Sequence, residues 1–180
     1  DGLHLADPAA RDRRLGRRRS RVPAPQGPHV ELDAVALNRL HHRVGFQLAD
    51  FLLRHESYFP ASFSRPSFLD NHDMNRFLWA ARGDKRKLRL AALCQFTLSG
   101  PPIIYYGTEV GLSQVRDVRQ GTFGLPEESR LPMLWGSTQD QNLLVEYQRL
   151  AELRRELPAL SDHGLHILFA DRASLVYQRG

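Results

Sequence analysis

Apolar positions recur along the chain with two periods, and the period changes where glycine and proline cluster. Over residues 34–55, Leu37, Leu40, Val44, Leu48 and Phe51 fall three and four apart, the spacing of one helix face. Asp50 and Arg54 are placed to pair across one turn, and Gly45 predicts a kink or split in the helix. Pro60 and Pro66 bracket a loop. Residues 67–70 are a short apolar run that predicts a brief buried strand. From 85 to 99 the spacing is helical again, through Leu88, Ala91, Ala92, Gln95, Phe96 and Leu98. Gly100 stands where a C′ glycine would, and Pro101-Pro102 forbid continuation. Residues 103–106 are β-rich and closed by Gly107, which predicts a second short strand with Tyr105 and Tyr106 on opposite faces. Residues 111–139 form a long polar segment punctuated by glycine and proline, a length uncommon in a loop without a function. Residues 143–157 predict a further amphipathic helix with Leu144, Tyr147, Leu150 and Leu157 on one side, Asp140 as N-cap and Pro158 past its end. Residues 165–170 and 174–177 predict a hairpin around Asp171-Arg172.

The order from 67 to 157 is strand, helix, strand, helix. Short strands alternating with helices predict an α/β fold with a parallel sheet covered on both faces. Ligand sites in such folds gather at the carboxyl ends of strands. Asn71, His72 and Asp73 follow the first predicted strand directly, and so stand where a site would be. A His-Asp doublet has three uses there: to ligate a metal, to run acid–base chemistry, or to hydrogen-bond a polar substrate. As a structural alternative, Asp73 would cap a helix that follows the strand.

Composition narrows this picture. The chain has 180 residues, 42% apolar and 25% charged, near the globular average. No apolar run approaches the ~18 residues of a membrane span. A lone cysteine, Cys94, excludes an internal disulfide and a multi-cysteine zinc site, and reads as inert core. The net charge of +5 is mostly local: residues 1–30 hold seven arginines against three aspartates, leaving +1 for residues 31–180. That stretch reads as a disordered or mis-specified Arg-rich segment, because dense like charge and few apolar groups leave it nothing to bury. The chain opens at Asp1 and reads as lacking its true start.

Three motifs then carry a resemblance. FLDNHDMNRF (residues 68–77), GPPIIYYGTEVGLSQ (residues 100–114) and ESRLPMLW (residues 128–135) occur in order, and together they resemble the α-amylase family of glycoside hydrolases, family 13. The first resembles the family's fourth conserved region on the seventh barrel strand. The second resembles its eighth strand. The third is similar to Asn-Arg-x-Pro-Met-x-Trp, with Ser129 in place of the asparagine. The resemblance implies the last two strand–helix units of a (β/α)8 TIM barrel over residues 31–158, and the start of a small antiparallel β domain over residues 159–180. A whole barrel needs ~250 residues.

The activity implied is retaining hydrolysis of α-glucosidic bonds in α-glucans or malto-oligosaccharides. By resemblance Asp73 matches the transition-state-stabilising carboxylate, and His72 the histidine that donates to the same sugar hydroxyls. Asn71 and Asp70 would fix the turn and neighbouring backbone, and Asn71 is also counted among the substrate-binding residues with His72 and Arg76. Arg76 would reach the acceptor subsites or pair with a neighbouring acid. Glu109 reads as a buried hydrogen-bonding carboxylate; Arg130 would anchor the long loop and Trp135 would pack it. The family's nucleophile and acid motifs are not found in these residues, so the isolated chain is expected to be inactive. No cofactor, metal, nucleic acid or membrane partner is implied, and no oligomeric state. Two other readings are open to the residues alone. One is a His-Asp metal-dependent phosphohydrolase using His41 or His42, His72-Asp73 and Asp117. The other is a nucleic-acid binder using the Arg-rich segment. Neither accounts for GPPIIYYGTE or SRLPMLW.

Overall fold

The computed structural model describes residues 44–60, 63–162 and 164–180. The Arg-rich segment, His41, His42 and the first turns of the helix predicted from residue 34 lie outside the described residues. Four α-helices and one hairpin follow: α1 (Val44–Tyr58), α2 (Phe77–Ala80), α3 (Lys85–Thr97), α4 (Gln141–Glu156), β1 (Leu165–Ala170) and β2 (Leu175–Arg179). No helix among the described residues is long and apolar enough to cross a membrane.

The helix ends follow local chemistry. Asp84 caps α3 by accepting from Arg86 N, and Asp140 caps α4 by accepting from Leu143 N at 3.0 Å. The last turn of α3 is closed by a side chain from α4. Arg154 donates to the carbonyls of Phe96, Leu98, Ser99 and Gly100 at 2.7–3.0 Å. Phe96 O and Leu98 O are acceptors that the helix C-terminus leaves open, Ser99 O and Gly100 O belong to the segment just beyond it, and one guanidinium fork meets all four.

Gly100 does not adopt the left-handed conformation of a C′ glycine, for it is absent from the positive-φ glycines. It is required for another reason: a Cβ there would stand 1.5 Å from Arg65 O. Gly45 is the second described residue of α1, so the kink or split expected there in the helix predicted from residue 34 lies outside the described residues. A Cβ on it would meet Ser174 O at 2.2 Å and Asp171 O at 2.3 Å, so its missing side chain lets the hairpin turn lie against α1. Ala49 and Leu52 are the buried apolar side chains of α1, one position on from the predicted Leu48 and Phe51, which are half-buried. The Asp50–Arg54 pair forms at 3.0 Å.

The two predicted strands are reduced to an isolated parallel bridge between Ser67 and Pro102. Ser67 N donates to Pro101 O at 3.1 Å, and Ile103 N donates to Ser67 O at 2.7 Å. Pro101 and Pro102 have no N–H to extend the ladder. The buried Gln95 amide takes its place, with Nε2 donating to Ser67 O (2.8 Å) and Ile103 O (3.1 Å). Tyr105 and Tyr106 do not alternate. Their rings meet at 4.6 Å, because the chain turns at Tyr106-Gly107 and Gly107 takes φ 87°.

The core lies between these segments and the helices. Leu69, Phe77, Leu78, Leu88, Phe96, Leu143 and Tyr147 pack together, with Phe96 and Tyr147 edge-to-face at 5.9 Å. Loop 63–67 is tied to α1 by Arg65, which pairs with Glu56 at 2.8 Å and donates to Ser99 Oγ at 3.2 Å. The hairpin is antiparallel from Leu165↔Arg179 to Ala170↔Leu175, with a bulge between Ile167 and Phe169. It rests on α1 through Phe46 N to Asp171 O (3.1 Å), and on α3 through a short hydrogen bond between Thr97 and Tyr177 hydroxyls.

Candidate functional site

The turn at 71–73 hangs from a buried carboxylate. Asp70 accepts from Phe77 N at 2.9 Å and from Thr108 Oγ1 at 2.7 Å, so the end of one extended segment is fastened to α2 and to the turn after the other. Burial pushes the Asp70 carboxyl up, and the bonds from Thr108 and Phe77 pull it partly back. From that anchor the chain turns outward. Asn71 Oδ1 accepts from Asp73 N at 2.8 Å, a local Asx turn that fixes where the next side chain leaves the backbone.

Asp73 points to solvent between two cationic or donor groups. His72 Nε2 lies 3.1 Å from Oδ2 and Arg130 Nη2 lies 3.3 Å from Oδ1, while the Asp73 side chain remains 69% exposed. The helix-cap alternative fails: α2 begins after Arg76, which holds its N-cap position. Arg130 also donates from Nε to His72 O at 3.1 Å. Ser129 Oγ, with its one proton, sits 2.9 Å from His72 O and 3.0 Å from Pro126 O. The serine that departs from the family's asparagine is thus fully buried against the turn. Arg130 anchors the long loop to the site, as its position implied. Trp135 does not pack the loop; it is 74% exposed.

Arg76 faces the interior. It has no exposed surface, its Nη1 donates to Tyr106 O at 2.7 Å, and its guanidinium lies 4.1 Å from the Tyr105 ring centroid and 4.7 Å from that of Tyr106. The guanidinium thus lies against this aromatic pair and a backbone carbonyl, and its charge also favours the ionised form of the neighbouring Asp70 carboxyl. Glu109 is half-buried, and its Oε2 has no hydrogen-bond partner. Cys94 is desolvated and its thiol pushed up, which keeps it protonated and inert.

Sequence reasoning missed the residues that brace this region. Glu128 accepts from Val115 N, Arg116 N and the Arg116 guanidinium. Asn75 donates to Asp117 Oδ1 and accepts from Gln114 Nε2 and Val118 N. None has a local signature; the long polar loop was the one visible sign of them. Asp117, the distant ligand in the metal-dependent reading, is committed to Asn75 and Arg119 N. Among the described residues no three His, Cys, Asp or Glu side chains gather to hold a metal.

Comparison with known proteins bears on the family. The Alpha amylase catalytic-domain family matches residues 31–143. The chain is 43% identical over 122 residues to Alpha-amylase 2 of Dictyoglomus thermophilum, covering 67% of this chain and 22% of that protein. It is 35% identical over 112 residues to Neopullulanase 2 of Thermoactinomyces vulgaris, covering 62% of this chain and 18% of that one. The described fold superposes on an α-amylase from Geobacillus thermoleovorans complexed with acarbose, at TM-score 0.63 and 26% identity, over 78% of this chain and 31% of the other. The chain thus spans about a fifth of the length of the curated relatives it matches. With more than half of its residues inside the match, the chain belongs to the α-amylase family of glycoside hydrolases, family 13.

Proposed function

We propose that these residues form the last two strand–helix units of a (β/α)8 barrel from a retaining α-glucoside hydrolase, with residues 159–180 opening a small antiparallel β domain. Its substrates are α-glucans or malto-oligosaccharides. The observation that carries this reading is the exposed Asp73 carboxylate, held between His72 and Arg130 on a turn that follows a buried segment end. The complex with acarbose and the names of the relatives support the substrate class.

Retention needs a nucleophile and an acid about 5 Å apart across an oxocarbenium-like transition state. Asp73 plays neither part. It accepts hydrogen bonds from ring hydroxyls, which strengthen as the ring flattens and positive charge grows. His72 donates to the same hydroxyls, and Asn71 holds the turn in register. Arg76, buried beneath, supports the site through Tyr105 and Tyr106 instead of touching sugar.

The test uses aryl α-glucoside turnover by three proteins: this chain, a chimaera carrying residues 44–180 on the remaining barrel of the Dictyoglomus thermophilum relative, and that chimaera with Asp73→Asn. The chain alone gives background rates, since without a nucleophile the glycosyl intermediate has no atom to form on. The substitution lowers turnover roughly a thousandfold with the circular dichroism unchanged. Turnover by this chain, or near-normal turnover by the substituted chimaera, would overturn these roles.

A further inference from the structure

The peptide between His72 and Asp73 is gripped on both of its polar edges. Its N–H, that of Asp73, donates to Asn71 Oδ1 at 2.8 Å. Its carbonyl, that of His72, lies 2.9 Å from Ser129 Oγ and 3.1 Å from Arg130 Nε. A peptide is planar, so holding both edges sets the direction in which the Asp73 side chain leaves the backbone. The Asn71 bond is local to the turn. The Ser129 bond comes from the third motif, 57 residues on.

The two donors at His72 O differ in their surroundings. Arg130 keeps 38% of its side-chain surface exposed, so water competes for its bonds. Ser129 is fully buried, and a hydroxyl sealed from water holds its acceptor more firmly. Ser129 lies in a 3-10 turn, Pro126–Arg130, and its oxygen is also 3.0 Å from Pro126 O. Its one proton serves one carbonyl at a time. Given to Pro126 O, the proton only closes the 3-10 turn on itself. Given to His72 O, it joins the long loop to the peptide that carries Asp73. Arg130 depends on that second state. Its fork spans His72 O and Asp73 Oδ1, at 3.1 and 3.3 Å, and it closes only while the peptide plane keeps those two oxygens at guanidinium spacing.

We propose that Ser129 is a positioning residue for Asp73: its buried hydroxyl donates to the His72 carbonyl, locks the plane of the His72–Asp73 peptide, and so aims the carboxylate. Ser129 touches no substrate and acts through Asp73 alone. The inference rests on the role given to Asp73 above and extends it to a side chain of the third motif.

The test has two arms. In the isotope-labelled 180-residue chain, Ser129→Ala moves the His72 carbonyl-carbon and Asp73 amide signals and leaves those in the middle of α4 as they were. The alanine removes one oxygen and adds no atom, so the circular dichroism is unchanged. In the chimaera described above, aryl α-glucoside kinetics compare Ser129→Ala, Asp73→Asn and the two together. Ser129→Ala lowers kcat about tenfold with KM kept within about twofold, as expected for a small misplacement of a group that acts in the transition state. Ser129→Cys, close in size and a weak donor, falls between serine and alanine. The double variant is no slower than Asp73→Asn alone, because the hydroxyl then has no carboxylate to aim. Unmoved His72 and Asp73 signals, an unchanged kcat, or a rise in KM alone would overturn the inference while the role of Asp73 stood. A double variant slower than Asp73→Asn by the whole factor of Ser129→Ala would do the same, since the serine would then act independently. Near-normal turnover by Asp73→Asn alone would overturn the role of Asp73, and the part of Ser129 with it.

Discussion

Arg154 shows how much one side chain can hold that periodicity does not reveal. In the sequence it is a charge on the polar side of a helix. In the fold it ties the end of α3 and the segment beyond it through four carbonyls, and burial lowers its proton affinity. Arg154→Ala should destabilise the chain by about 2–3 kcal/mol, because several charge-assisted bonds are lost and their acceptors left dry. The shift in urea midpoint measures it. Gly100 makes the complementary point. Its place after a helix was legible, but its purpose was not, since a backbone crossing from Arg65 leaves no mark near residue 100. Gly100→Ala should cost more than Gly83→Ala. The first drives a methyl into Arg65 O, whereas the second meets nothing within 4 Å and costs only its φ of 74°.

Helices were the most legible elements, because caps and periodicity are local. Asp140 was read from the sequence as the cap of α4, and it caps it. The two strands were not legible as strands, since a ladder depends on partners elsewhere in the chain and two prolines block it here. The long loop was visible as a feature, but its bracing was not. That bracing has a pH signature. The Arg116 guanidinium, then the N–H groups of Arg116 and Val115, hold the Glu128 carboxyl below its ordinary 4.5. The resulting stability is fully present above that ordinary value and is lost as pH falls through the lower folded value. Asp70 has the opposite sign: its carboxyl is raised, so the stability linked to its protonated form is present below its ordinary 3.8 and fades as pH rises through the folded value. Glu128→Gln should therefore flatten the loss of stability between about pH 5 and 3, read from denaturation midpoints across that range.

At the scale of the whole molecule, the candidate site was read from three motifs in order, and the structure brings all three together: Arg130 and Ser129 of the third close on His72 and Asp73 of the first, and Thr108 and Tyr106 of the second bond to Asp70 and Arg76 of the first. The inward turn of Arg76 was not readable, because its partners are the rings of a segment that fails to alternate. The surface carries large apolar groups, among them Phe123 at 96%, Val115 at 81% and Leu90 at 68% exposure. Such surface, with open backbone edges at 67 and 102–103, favours self-association. The isolated chain should sediment as a concentration-dependent mixture and unfold broadly on heating. A sharp, concentration-independent transition at about 45–65 °C would contradict this.

The single bridge at Ser67 and Pro102 has a kinetic consequence. A regular sheet shields its amide protons in rows. Here Ser67 N and Ile103 N are each bonded across the bridge, to Pro101 O and Ser67 O, and the Gln95 amide ties the two segments behind them by donating to Ser67 O and Ile103 O. In heavy water those two amide protons should persist as isolated slow exchangers, while Tyr106 N and its turn lose theirs early. Gln95→Leu keeps the side chain's bulk but removes its donors, so it should free both slow protons together and leave those in the middle of α4 as they were.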